Sequence, residues 1–263
     1  MQSDPLILTA VAIFGAIVGS FLNVVILRLP KPGASIVFPA SHCPECLSEL
    51  AWYENIPVLS YLFLRGRCGH CASRIAIQYP LVEILMAMLT VAVVVRFGLS
   101  LTGAGLFLFS AGLLVIIFID LRHQIIPDVI SLPGILIGFV FSFFSTLTSW
   151  QDSLIGLLAG GGVLYAIALL YYLLRKQDGM GGGDIKLLAM IGAFLGWQSL
   201  PFVIFASSTS GAVIGILAMM VQKKGGETRI PFGPFLSLAA LLYMFFSIEI
   251  KNIYWLYLSG NLF

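Results

Sequence analysis

Polar residues are sparse along this chain and fall in bunches, and between the bunches run uninterrupted apolar stretches. Eight such stretches predict helices over residues 5–28, 80–97, 101–120, 129–147, 153–174, 185–197, 200–221 and 231–248. Most approach the roughly twenty residues that an α-helix needs to cross the hydrocarbon core of a bilayer. The sixth is short, and the eighth is followed by a further apolar tail. A transmembrane barrel would show brief segments of alternating character, whereas "AGLLVIIFI" is apolar at every position. The first stretch lacks the basic start of a cleaved signal, since Asp4 is its only charge, and it continues to Leu27, so it reads as a first spanning helix.

Composition agrees with this pattern. Of 263 residues, 59% are hydrophobic and only 10% charged, so the expected fold is an all-α polytopic membrane protein of about eight transmembrane helices. Charge then sets the orientation. With the N-terminus outside, the inner loops collect twelve of the fourteen lysines and arginines, and only Arg96 and Lys251 fall outside. A bias of that size follows the positive-inside rule. The formal charge of +2 therefore reports topology and not nucleic-acid binding.

One long polar segment, residues 29–79, lies between the first two spans on the inner side, and it holds all four cysteines as "CPEC" (43–46) and "CGHC" (68–71). Each C-x2-C knuckle can aim two sulfurs at one point. Two knuckles, Cys43 with Cys46 and Cys68 with Cys71, close a tetrahedral thiolate site suited to structural zinc. A reducing inner compartment argues against the alternative of two disulfides. The proline and glycine inside the knuckles are expected to supply the tight turns. His42 and His70 flank the knuckles as possible replacement ligands or as plain turn histidines. The stretch "LAWYENIPVLSYLFLRGR" between the knuckles is apolar enough to be expected to pack against the membrane-facing side of the metal-held loop.

Two acids stand where ionised groups are expensive. Asp120 ends the third span in "FIDLRHQIIPD", and Asp184 begins the sixth in "GMGGGDIKL". Tracing the topology places both near the inner face, on different helices. Facing carboxylates at one depth share a proton, which suits water-activated peptide hydrolysis: one takes a proton from water while the other polarises the scissile carbonyl. The alternative is that they cap helix ends or pair with Arg122 and Lys186. The glycines before Asp184 match neither a P-loop nor a dinucleotide turn. They would let a substrate backbone approach and let the chain unwind at membrane depth, or they form a flexible inner loop. A channel or transporter would show paired repeats with broken helices, and none is evident. A zinc-bearing scaffold leaves the aspartates without a shared task.

Together, "GSFLNVVILRLP" (19–30), the cysteine segment with "YPLVEIL", the D-x6-P-D of residues 120–128, "GGGDIKL" (181–187) and "PFGPFL" (231–236) resemble the type IV prepilin leader peptidase/N-methyltransferase family of GxGD-type aspartic proteases. The resemblance implies removal of a short basic leader from prepilins or pseudopilins after a glycine, at the cytoplasmic face of a bacterial inner membrane. It also implies N-methylation of the new terminal residue, usually phenylalanine, with S-adenosylmethionine as donor, in support of pilus assembly or type II secretion. Asp120 and Asp184 match the family's catalytic aspartates, and Asp128 matches a second acid nearby. The cysteine segment implies both activities, with residues 1–28 a first transmembrane helix, 29–79 a cytoplasmic four-cysteine domain associated with methyl transfer, and 80–263 the transmembrane peptidase domain. Glu83, at the start of the second span, is placed either to meet the basic leader or the methylation site, or as a solvated interfacial acid.

Overall fold

A computed structural model describes residues 4–176, 181–222 and 230–258, with the side chains of 221, 222 and 254–258 outside that description. Nine α-helices occur among the described residues: α1 Pro5–Arg28, α2 Leu59–Phe63, α3 Gln78–Phe97, α4 Leu101–His123, α5 Asp128–Ser142, α6 Trp150–Arg175, α7 Gly182–Leu195, α8 Leu200–Gln222 and α9 Gly233–Leu258. No strand forms among the described residues, and the only extended pairings are two isolated bridges, His42 with Glu49 and Arg67 with Arg74. The all-helical polytopic expectation holds. Six helices, α1, α3, α4, α6, α8 and α9, are long and apolar enough to cross a membrane, and the chain is a multi-pass membrane protein. The other two expected spans are shorter, α5 with 15 residues and α7 with 14.

The chain divides into two compact units, residues 1–115 and 116–263. In the first, α1 starts where Asp4 accepts the Leu6 N–H (3.0 Å) and Pro5 supplies a preset φ. α1 and α3 pack closely because Gly15 and Gly19 present no side chain. A Cβ on Gly15 would collide with Thr90 and the Ala87 backbone, and one on Gly19 would sit 2.7 Å from Cα of Glu83. This small-x-x-x-small spacing is a usual route to close helix contact in lipid, where the hydrophobic effect offers no drive between helices.

In the second unit α7 is the centre. Every residue from Leu187 to Leu195 is buried. Glycines again set the approach: Gly192 of α7 meets the Gly156 backbone of α6, and Gly134 and Gly138 of α5 leave room for Met190 and Phe194. The Ser153 hydroxyl donates to the Ala193 carbonyl across the α6–α7 contact (2.6 Å). A 14-residue helix sheathed in this way has no need to reach both faces of a membrane by itself.

Boundaries depart from the apolar pattern where side chains bond the local backbone. α5 stops at Ser142 and not near 147, since the Ser142 hydroxyl donates to Phe139 O (2.6 Å) and the Ser145 hydroxyl accepts the Leu147 N–H (3.0 Å). Serine and threonine offer the chain this alternative to helix. α9 runs past 248 to Leu258, with a kink at Phe246 (φ −115°, ψ 25°).

Candidate functional site

Asp120 lies in the last turn of α4, and its carbonyl accepts the N–H of Gln124, whose φ of 55° ends the helix. Only 4% of the residue is exposed. The carboxylate is not left without a donor: the backbone N–H of Gly233, first residue of α9, donates to Oδ2 at 2.9 Å. Asp184 sits half-buried in the first turn of α7, with its N–H on the Gly181 carbonyl (3.1 Å). The two acids, 64 positions apart in sequence, are brought to the same side chain in the second unit, since Gly183 beside Asp184 and Gly233 beside Asp120 both approach Ile126. Neither pairs with a basic side chain among the described residues, so Arg122 and Lys186 do not account for them. Lys186 instead clamps both oxygens of Asp128 at 2.8 Å, on the exposed start of α5. Asp128, the second acid of the motif and the reserve candidate, is therefore ion-paired at the start of α5.

Of the readings for the glycines before Asp184, unwinding is not seen at residues 181–183. Gly182 and Gly183 are helical, and neither they nor Gly181 has a positive φ, so this part of the chain does not unwind. Residues 179 and 180 of the same motif lie outside the described residues. What Gly183 supplies is room, because a Cβ there would fall 2.9 Å from Cβ of Ile126. Gly233 does the same on the other side of that isoleucine, where a Cβ would sit 3.1 Å from Cδ1 of Ile126 and 2.6 Å from Asp120 Oδ2. Ile126, in the link between Asp120 and Asp128, is thus flanked by two glycines that bring α7 and α9 to the acids. Gly233 was missed in reading for chemistry, since glycine carries no reactive group. The "PFGPFL" stretch was its only signal.

The cysteine loop forms two knuckles of one design. Cys43 N–H donates to Ser48 O (3.0 Å) and Cys68 N–H to Ser73 O (2.8 Å), while Leu47 and Ala72 return N–H bonds to the carbonyls of Cys43 (2.9 Å) and Cys68 (3.0 Å). The left-handed residues that turn the chain are Leu47 (φ 58°) and Ala72 (φ 57°), and not the proline and glycine inside the knuckles. Gly69 instead leaves space for the Glu54 carboxylate. All four sulfurs lie within 4.8 Å of one another, and Cys43 and Cys71 are 3.8 Å apart. Metal–sulfur bonds of about 2.3 Å in a tetrahedron require sulfur separations of about 3.8 Å, so the cage fits zinc. The N–H groups of Cys46 and Glu45, with the Ser73 hydroxyl, pull the Cys43 thiol down to about 6, which makes it a thiolate and a ready ligand at neutral pH. His70 points its ring at Glu54 (3.6 Å) and His42 bonds the Ala40 carbonyl (3.0 Å), so neither histidine belongs to the cage.

The apolar stretch between the knuckles does not bury itself. It makes a short 3-10 turn, Trp52–Asn55, and α2, and it leaves Trp52, Tyr53, Leu59, Leu62 and Phe63 exposed. Glu83 of α3, by contrast, is only 7% exposed and accepts the Val58 N–H at 2.7 Å. It is not a solvated interfacial acid.

Comparison with known proteins agrees with this geometry. A family model described as the bacterial peptidase A24 N-terminal domain matches residues 13–97, and one described as the type IV leader peptidase family matches residues 107–216. A prepilin leader peptidase/N-methyltransferase of Stutzerimonas stutzeri is 38% identical over 277 residues, covering 97% of this chain and 96% of that one. The chain belongs to the prepilin leader peptidase/N-methyltransferase family. A member from Pseudomonas aeruginosa is 37% identical with the same coverage, and one from Aeromonas hydrophila is 37% identical over 93% of this chain and 92% of its own. No solved structure matches. The first family model spans both knuckles and Glu83, and the second spans Asp120, Asp128 and Asp184.

Proposed function

We propose that this protein cleaves the basic leader from type IV prepilins or pseudopilins after a glycine and then N-methylates the new terminal residue with S-adenosylmethionine. The observation that carries the peptidase half is the convergence of Asp120 and Asp184 around Ile126 in one unit, with no basic partner for either among the described residues. Two interacting carboxylates hold one proton between them in the working state. The ionised member takes a proton from water as the water oxygen attacks the scissile carbonyl, and the protonated member gives its proton to the carbonyl oxygen; on collapse the first member passes the water's proton to the leaving amine and the second recovers its own from the gem-diol. The Gly233 N–H fixes the rotamer of Asp120 during this exchange. Prepilins suit such a site, because their polar leader meets an apolar helix at the membrane interface. The positive-inside bias supports a reading with both acids and the cysteine loop on the cytoplasmic side of the inner membrane and the N-terminus periplasmic.

Residues 29–79 form the segment we assign to methyl transfer, with Cys43, Cys46, Cys68 and Cys71 holding zinc in a closed cage that orders the loop and leaves no open coordination position for chemistry. S-adenosylmethionine supplies an electrophilic methyl group. The test is mass spectrometry of a co-expressed pilin, which reads leader loss and the added methyl mass together. Asp120→Asn and Asp184→Asn are each expected to leave the leader attached. Normal processing by either well-expressed variant removes that residue from the pair.

A further inference from the structure

The seam between α1 and α3 buries a carboxylate and an orphan amide oxygen. Glu83 sits in it, 7% exposed, and accepts the Val58 N–H at 2.7 Å. No lysine, arginine or histidine pairs with it among the described residues. One turn along the same seam lies Asn23, 1% exposed, whose Nδ2 donates to the Tyr79 carbonyl (3.0 Å). That bond fixes the amide's orientation and leaves Asn23 Oδ1 buried with no partner. Asn23 faces Tyr79 and Gly19 faces Glu83, so the orphan oxygen and the carboxylate belong to residues one helical turn apart on the same α1–α3 seam. Buried acceptors in surplus, one of them a carboxylate, are costly unless a cation with several N–H donors joins them.

The group now closing the site is under strain. Val58 has φ 63° and ψ −49°, and the Leu59 N–H donates to the Pro57 carbonyl at 2.6 Å around it. That is a γ-turn of the rare strained sense, here on a β-branched residue. Such a conformation persists only where its surroundings impose it, and the Val58 N–H is held on the Glu83 carboxylate. A carboxylate that retains a strained backbone donor is placed to exchange it for a better one.

We propose that Glu83 is a cation-binding residue that trades the Val58 N–H for a primary ammonium group, with Asn23 Oδ1 as the second acceptor. The inference rests on the bifunctional reading and deepens it. That reaction brings two primary ammonium groups next to a carbonyl or carboxyl carbon, the fresh N-terminus of the cut substrate and the amino-acid head of the methyl donor. The chemistry is shared, and the two sources are separable by experiment. Glu83 lies in the part of the chain matched by the N-terminal family model, and the Pro57–Leu59 turn belongs to the segment between the cysteine knuckles.

The test uses the full chain in detergent and Glu83→Gln, which keeps an oxygen for the Val58 N–H but removes the charge. Calorimetry measures binding of a short peptide with a free N-terminal phenylalanine, of its acetylated form, and of S-adenosylhomocysteine. Removing the charge under a hydrogen-bonded ammonium should weaken binding by about tenfold or more. A weakening confined to the free-amine peptide assigns the site to the methyl acceptor, and one confined to S-adenosylhomocysteine assigns it to the donor. Unchanged affinity for both ligands overturns the proposal. So does lost zinc or slowed leader cleavage in Glu83→Gln with binding intact, because Glu83 is then a structural clasp. Val58→Gly provides a second arm, since glycine adopts that φ without strain and should make the closed clasp harder to displace. It should weaken the same ligand several-fold, and tighter or equal binding contradicts the exchange. Should the unsubstituted protein bind both ligands yet transfer no methyl group, the methyltransferase reading fails and this site fails with it.

Discussion

Replacing Gly233 by alanine adds one methyl group at a place with no room for it. The new Cβ would stand 2.6 Å from Asp120 Oδ2 and 3.1 Å from Cδ1 of Ile126. Backbone conformation is not the obstacle, since the φ of Gly233 is not positive. The obstacle is that Asp120 is only 4% exposed, so its carboxylate cannot swing into water to clear the methyl. It must leave the Gly233 N–H, which now donates at 2.9 Å. A hydrogen bond to a charged group is worth about 1.5–3 kcal/mol, which converts to a loss of about 10- to 150-fold in kcat/KM for leader cleavage if the bond orients Asp120 in the transition state. The assay is the initial rate of leader removal from a prepilin in detergent, below KM, beside a thermal melt. Gly162→Ala is the control, for nothing lies within 4 Å of a Cβ there. A folded Gly233→Ala protein that cleaves within about threefold of the unsubstituted rate would refute the claim that this N–H holds the catalytic rotamer.

The two asparagine substitutions at Asp120 and Asp184 should each abolish leader removal while the protein inserts and melts normally, and cleavage should resist serine-protease inhibitors. Cys43→Ser with Cys46→Ser should empty the metal site, read as about one zinc per chain falling to none by elemental analysis; zinc retained by that double variant would place the metal elsewhere. Gly192→Ala should lower the melting temperature clearly, because its Cβ would meet the Gly156 backbone and drive α6 from α7, whereas Gly162→Ala should not.

The helices were legible because lipid demands unbroken apolar length, and that demand is written residue by residue in stretches such as 5–28 and 101–120. The ends were less so. Ser142 and Ser145 fall within the apolar stretch 129–147, yet their hydroxyls bond the local backbone and stop α5 early. The cage of four sulfurs was visible in spacing alone, since C-x2-C fixes reach. Its turn residues were not, because Leu47 and Ala72 carry no sequence mark of a left-handed φ. The burial of Glu83 was invisible for another reason: it depends on Gly19 letting α1 come within contact of α3, a tertiary event that no window of α3 encodes.

The buried acids of the two units solve one physical problem in the same way. A carboxylate in a helical bundle within lipid needs a donor, yet helix backbones spend their N–H groups internally, and only the first turn has N–H groups to spare. Asp120 takes one from Gly233, at the opening of α9. Glu83 takes one from Val58, which directly precedes α2. In each case the donor sits where a polar link meets a helix start, so the depth of the acid is set by where the link can reach. At Gly233 the approach is made possible by the absence of a side chain, and it is permanent. At Val58 it costs a strained turn, and strain is what makes a donor exchangeable. The difference matches the tasks proposed: an aspartate kept in one rotamer for proton transfer, and a glutamate held until an ammonium group takes the place of the backbone.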